Sequence, residues 1–258
     1  MNESTLQMLK RLMGIACLFL LAAAVISAAQ LKGSRNVQEV MINIEALPGG
    51  HSLVSKKDLM LSIERSFGHN LIGVPLAALN VERIERVLEA DPFILASDVY
   101  IDAENQVHIS VEQREPIVRI IDKNGLNYYL DEFGEKMPLS KHFTARVLVA
   151  NGEIPAHIPN FLERKKHTLK DLFGLTNIIL DDDFLRPMIE QVYVDKRGEY
   201  TLVPKLGNQK ILLGRLDGLD DKLTRLKTFY KEGMPYSGWK KYKAINLKYK
   251  GQVVCKKS

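Results

Sequence analysis

One uncharged stretch near the amino terminus constrains the chain more than any other feature: Leu12 to Ala29 reads LMGIACLFLLAAAVISAA. At 1.5 Å rise per residue a helix over this run spans roughly 27 Å, close to the ~30 Å hydrocarbon thickness of a bilayer. The expected element is a transmembrane helix at 12–29 behind a short tail at 1–11. Lys10 and Arg11 precede the run and Lys32 and Arg35 follow it, so flanking charge leaves the orientation undecided. Size favours a cytoplasmic tail and an exported domain, because a large domain behind an amino-terminal helix crosses largely regardless of nearby charge. A cleaved signal peptide is the competing reading: Ser27-Ala28-Ala29 fits a small-residue cleavage site, and Lys10 with Arg11 supplies a basic leading region. The run exceeds the ~7 to 15 apolar residues of a signal peptide, which favours retention.

About 230 residues follow, enough for two ordinary domains. Cys17 lies in the apolar run and Cys255 near the end, so the part beyond the run has one thiol and packing must stabilise it. A net charge of +5 and a pI near 9.0 suit nucleic acid, an anionic membrane surface or an acidic partner. Export removes nucleic acid from that set.

After a polar link, Val37 to Leu47 alternates as a half-buried strand and Pro48-Gly49-Gly50 ends it. Ser55 caps a helix with Leu59, Ile63 and Phe67 on one face; Asp58 completes a capping box and Gly68 stops it. A second helix runs from Asn80 to before Asp91-Pro92, then two strands, Ser97 to Ile101 and Val107 to Val111, the latter continuing to Ile121. The order strand, helix, helix, strand, strand lays two helices on one face of a small sheet. Beyond Pro116 come a hairpin (Tyr128 to Leu130, Lys136 to Leu139, with Gly134 in the turn) and a strand at Arg146 to Ala150. Helical segments at Phe161 to Phe173 and Asp183 to Gln191 precede strands at Val192 to Val194, Tyr200 to Val203 and Lys210 to Leu213. An amphipathic helix at Asp220 to Tyr230 and a closing strand at Ala244 to Val254 complete the chain.

Catalytic and metal-binding patterns are sparse. His51, His69, His108, His142, His157 and His167 stand singly, without zinc-type spacing. Ser237 and Lys240 satisfy the Ser-x-x-Lys pattern of serine acylases, yet a lysine-rich chain produces that match by chance and its companion motifs are absent. Asp181-Asp182-Asp183 reads as helix capping, because a hard cation needs further converging oxygens. No cofactor-binding pattern appears, and a scaffold is expected rather than an enzyme. The strongest constellation is the basic tail: Lys240, Lys241, Lys243, Lys248, Lys250, Lys256 and Lys257 interleaved with Trp239, Tyr242 and Tyr249. It could grip single-stranded nucleic acid or solvate one strand face. The preferred reading is strand addition, with an apolar-faced terminal strand offering backbone groups and its lysines attracting an acidic partner.

Three stretches together resemble the bacterial division protein family FtsQ/DivIB. Asn80 to Ile121, through Asp91-Pro92-Phe93 to Val111-Glu112-Gln113-Arg114-Glu115-Pro116, is similar to the end of the family's POTRA domain. Tyr128-Tyr129-Leu130-Asp131 with Gly134 is similar to the hairpin that opens its β-domain. Ile211 to Arg215, the helix Lys222 to Tyr230 and Ala244 to Tyr249 resemble its Leu-Gly strand, final helix and closing strand, with Asn246 and Lys248 where Asp and Arg are common.

The resemblance implies an α+β protein: a linker at 30–36, a POTRA domain (β-α-α-β-β) at 37–119, and a mainly antiparallel β-domain with a few helices at 120–258. It implies a divisome scaffold in the inner membrane at the septum, with its domains in the periplasm, helping regulate septal peptidoglycan synthesis. The implied partners are the coiled-coil membrane proteins FtsB or DivIC with FtsL, besides other division proteins; no cofactor, nucleic acid or small-molecule substrate is implied. The expected contact residues are Leu247, Lys248, Tyr249, Lys250 and Gly251 on the closing strand, with Phe229 and Tyr230 on the helix before it. Tyr249 leads, since it combines apolar area with a hydroxyl, while Lys248 and Lys250 act on encounter rate. Two alternatives are a POTRA-bearing accessory of outer-membrane protein assembly and a periplasmic serine acylase using Ser237 and Lys240.

Overall fold

The computed structural model describes residues 13, 15–23, 35–238 and 241–257. Residues 13 and 15–23 are helical, and the rest of the expected span Leu12 to Ala29 lies outside the described residues. Among the described residues no helix is long and apolar enough to cross a membrane. The chain divides into two compact units between Gln113 and Arg114.

The first unit follows the expected order. Strand β1 (Glu39–Ile44) runs into a turn in which Gly49 and Gly50 both take positive φ. Helix α1 (Lys56–Phe67) starts where Ser55 accepts from Asp58 N–H while the Asp58 carboxylate accepts from Ser55 N–H, and ends at Gly68 with φ +78°. Asn80 caps α2 (Val81–Glu89) through Arg83 N–H at 2.8 Å. Strands β2 (Ile94–Ile101) and β3 (Gln106–Gln113) pair antiparallel, and β1 lies parallel on the other side of β3. Leu59 and Ile63 of α1 and Ile84 and Leu88 of α2 meet Ile94, Val107 and Ile109 in a core closed to solvent.

Gln113 stitches the far end of this sheet. Its buried side chain accepts from Leu53 N–H at 2.7 Å and donates to Glu45 O at 2.7 Å, tying β3 to the two segments around the first turn.

The second unit is one nine-stranded mixed sheet in the order β12-β11-β10-β9-β8-β7-β4-β5-β6. Its first half comprises β4 (Pro116–Ile121), β5 (Asn127–Asp131), β6 (Lys136–Met137), β7 (Leu148–Gly152) and, after α3 (Thr168–Asp181) and α4 (Leu185–Met188), β8 (Ile189–Val194). The second half is β9 (Tyr200–Pro204), β10 (Lys210–Gly214), α5 (Leu219–Thr228), a π-helical turn (Phe229–Gly233), α6 (Met234–Ser237), β11 (Tyr242–Asn246) and β12 (Val254–Lys257). Antiparallel pairs predominate, while β4 with β7, β7 with β8 and β10 with β11 run parallel.

Several boundaries differ from expectation for local reasons. The strand expected to continue from Val107 to Ile121 breaks at Arg114 and Glu115, and β4 pairs entirely with β5 and β7. The expected domain boundary at 119/120 therefore cuts through a strand of the second sheet. The helical segment expected from Phe161 is a 3₁₀ turn at Phe161–Glu163 followed by an α-helix that begins at Thr168, where His167 Nδ1 accepts from Leu169 N–H at 3.3 Å, and continues past Gly174 to Asp181. A helical glycine costs about 1 kcal/mol, less than burying Leu175 and Ile179 returns. The helix expected at Asp183 to Gln191 ends at Met188, because Ile189 and Gln191 already pair with Pro204 and Val203.

Asp182 performs the capping read from the acidic triplet: its Oδ1 accepts from Phe184 and Leu185 N–H, both at 3.0 Å. The Lys227 ammonium, 2.6 Å from Oδ2, holds this carboxyl below the ordinary aspartate range, assisted by those two N–H groups.

Two outcomes follow. Gln113→Ala removes these bonds together with a third, from Ser52 Oγ at 3.1 Å, and is expected to cost about 2–3 kcal/mol in a urea unfolding titration. The stabilisation from Asp182 is complete above the unfolded carboxylate pKa of about 3.9 and is lost as pH falls through the lower folded value. Asp182→Asn should therefore be less stable than the parent at neutral pH and show a shallower fall in Tm below pH ~4.

Candidate partner-binding site

The candidate site lies where the second sheet ends at β11 and β12. Leu247 N–H donates to Leu212 O at 3.0 Å as the last rung beside β10, and the chain then leaves the ladder. Lys248 N–H turns back to Asn246 Oδ1 at 3.0 Å, and Gln252 N–H reaches Tyr249 O at 3.3 Å across a turn in which Gly251 takes φ +67°. The chain returns as β12, pairing Val254 with Asn246 and Cys255 with Ile245.

This geometry corrects the single closing strand expected at Ala244 to Val254. It is a hairpin, and the expected alternation across Tyr249 and Lys250 does not exist, because both residues are on the turn. Ile245 and Leu247 are fully buried as expected of an apolar face, while Tyr249 is 56% exposed because the chain has already turned outward.

The turn is fastened from α5. The Arg225 guanidinium donates through Nη1 to the carbonyls of Tyr249, at 3.1 Å, and Gln252, and through Nη2 to Leu247 O at 3.3 Å. Its Nε donates to Asp221 Oδ2 at 2.9 Å, an i, i+4 pair that aims the fork. Arginine suits this task because its donors are fixed in one plane and remain charged. A groove of about 450 Å³ lies alongside, with Thr228, Phe229 and Glu232 on one wall and Gly251 and Val253 on the other.

The expected contact residues divide by position. Tyr249, Lys250 and Gly251 are exposed on the turn, and Phe229, with its ring 5.9 Å from that of Tyr242, lines the groove. Lys248 pairs with Glu199, and its stem lies against Gly214, where an added Cβ would come within 3.0 Å of Lys248 Cγ. Leu247 and Tyr230 belong to the core; the Tyr230 hydroxyl accepts from Gln209 Nε2 at 2.9 Å, and burial pushes its phenol above the ordinary range. Lys240 and Trp239 lie outside the described residues, as does the side chain of Ser237, so the Ser-x-x-Lys alternative has no described geometry.

Arg225 and the edge strand β12 escaped the sequence reading. The signal available was Lys250-Gly251, a turn dipeptide inside an apparently continuous strand, followed by the β-branched pair Val253-Val254.

Backbone direction identifies what the edge offers. Because Leu247 N–H points to β10, Asn246 points to β12 and Ile245 again to β10. Cys255, opposite Ile245, therefore directs its N–H and C=O away from β11. Its thiol packs inward, where burial raises its pKa and keeps it protonated. Arg225→Leu should leave the sheet folded but release the turn, with amides at 248–252 exchanging about tenfold faster in hydrogen-exchange mass spectrometry.

Comparison with protein families places both units. The model described as FtsQ/DivIB, C-terminal related, matches residues 115–256, and a POTRA-like domain model matches residues 36–112. No curated protein matches the chain. The match to the first model covers more than half of the sequence and takes in β4 through most of β12, so the chain belongs to the FtsQ/DivIB family of division proteins.

Proposed function

We propose that the chain is a single-pass membrane scaffold of the divisome whose β11–β12 hairpin binds the extracytoplasmic part of an FtsB- or DivIC-like coiled-coil protein, itself paired with an FtsL-like protein. One observation carries this reading: among the described residues β12 is an open edge, with Cys255 directing backbone groups outward beside a groove walled by Phe229 and Val253. Strand addition there supplies affinity through backbone bonds, while the groove selects side chains at alternate positions. Tyr249 and Lys250 stand exposed on the turn that closes the hairpin, where a partner can reach them.

The anchor follows from the same account. Ile15, Leu18, Phe19, Leu20 and Leu21 are helical and each more than half exposed, an apolar surface that water does not favour and a bilayer does. Anchoring in the inner membrane, with the tail cytoplasmic and both domains periplasmic, brings the hairpin to partners confined to the same plane at high effective concentration. By holding them at the septum the scaffold regulates peptidoglycan synthesis without performing it.

Cys255→Pro tests the edge selectively. It removes an outward donor while leaving the β11–β12 bonds in place, and proline is tolerated on edge strands in that orientation. Affinity for the purified extracytoplasmic segment of the coiled-coil partner should fall at least about tenfold, a loss of ~1.4 kcal/mol, with the Tm nearly unchanged. Tyr249→Glu should weaken binding as well. Wild-type affinity in both variants, with intact folds, would contradict the proposal.

A further inference from the structure

The three-stranded sheet of the first unit also has two edges, and they are finished differently. On β2, Val99 N–H donates to Glu85 Oε1 at 2.9 Å and Ser97 N–H to Glu89 Oε1 at 3.2 Å, so α2 closes that edge with its own carboxylates. On β1 the loop before α2 covers only the beginning: Val37 N–H donates to Val74 O and Gly73 N–H to Val37 O, both at 2.9 Å. Gln38 N–H turns the other way, to Asn105 O at 3.0 Å. Within the ladder Glu45 N–H donates to Val111 O at 2.9 Å, and backbone groups alternate sides along a strand, so Val40, Ile42 and Ile44 direct theirs away from β3, and among the described residues nothing receives them.

We propose that β1 takes up an extended segment of another protein as a fourth strand, with acidic side chains of that segment set against Lys56 and Lys57. A groove of about 670 Å³ runs beside β1, and Lys56, Lys57 and Met60 of α1 contribute to its lining with Ile72. On the opposite face Met41, His108 and Tyr100 form one row across the three strands, with the His108 and Tyr100 rings stacked 4.8 Å apart. Met41, Ile72 and Tyr100 are each about half exposed, at 45%, 53% and 51%, giving an added strand apolar contacts on both faces.

The charge pattern selects the occupant. Neither lysine has a carboxylate partner among the described residues, and the two outnumber Glu39, the acid of the groove. A second copy paired edge to edge through a two-fold axis would bring both lysine pairs to one seam, which like-charge repulsion opposes. An acidic, alternating segment of a different protein meets no such penalty. The Val37–Val74 rungs already in place form a stop that fixes where the added strand begins. This inference does not depend on the β12 proposal.

The test uses the full chain in detergent and a blocked peptide of about nine residues alternating valine and glutamate, beside the same peptide with lysine for glutamate. The expected result is protection of the Val40, Ile42 and Ile44 amides in hydrogen exchange by the glutamate peptide, with the lysine peptide about fivefold weaker at low salt. Val40→Pro, which removes an outward donor and spares the β1–β3 rungs, should abolish this protection. The folded double variant Lys56→Glu, Lys57→Glu should reverse the charge preference, which keeps the test valid if the proline variant misfolds. Equal affinity for the two peptides, protection at β12 or 97–101 alone, or concentration-dependent dimers whose Val40, Ile42 and Ile44 amides are protected without peptide would each overturn the proposal.

Discussion

Backbone groups that a sheet cannot satisfy within itself govern this chain. An unpaired strand edge is both a liability and a template, and the edges here are either closed or left open beside lysines. β2 is sealed by Glu85 and Glu89, and β6 is only two residues long. Among the described residues β1 and β12 remain open, one bordered by Lys56 and Lys57 and the other carrying Lys256 and Lys257. Lysine on an open edge discourages pairing between identical copies without removing the backbone donors that another protein can use.

The end of the second sheet shows how a helix can order an exposed turn from a distance. A turn that leaves three carbonyls without a ladder would ordinarily sample many conformations. Arg225 accepts the task of ordering them, binding the carbonyls of Leu247, Tyr249 and Gln252 from α5 while Asp221 sets its plane. Tyr249 then projects from a fixed backbone, so less conformational entropy remains to be lost when a partner binds. The buried neighbours Leu247 and Tyr230 support that arrangement from the core.

The first unit was legible because local and global preferences agree there. Ser55 with Asp58, Gly68 and Asn80 mark helix ends by chemistry that operates within a few residues, and β1 alternates cleanly. The second unit was less legible where long-range pairing overrides local pattern. Apolar residues at 245, 247, 249, 253 and 254 are as compatible with one long strand as with strand, turn and strand; only the ladder and Gly251 separate the two. At the candidate site the sequence showed a stretch of chain but not its arrangement, since Arg225 is far in sequence from the carbonyls it holds. The closure of β2 was equally hidden: Glu85 and Val99 meet only once α2 has packed on the sheet.

The most direct measurement of the central claim is residue-resolved amide exchange at Val253 to Lys257 in the full chain, with and without the extracytoplasmic segment of the coiled-coil division partner. Strand addition requires that the outward amide of Cys255 become protected on binding, while amides already inside the β11–β12 pair change little. Binding that leaves Cys255 exchanging as in the free chain would contradict strand addition and assign recognition to side chains alone.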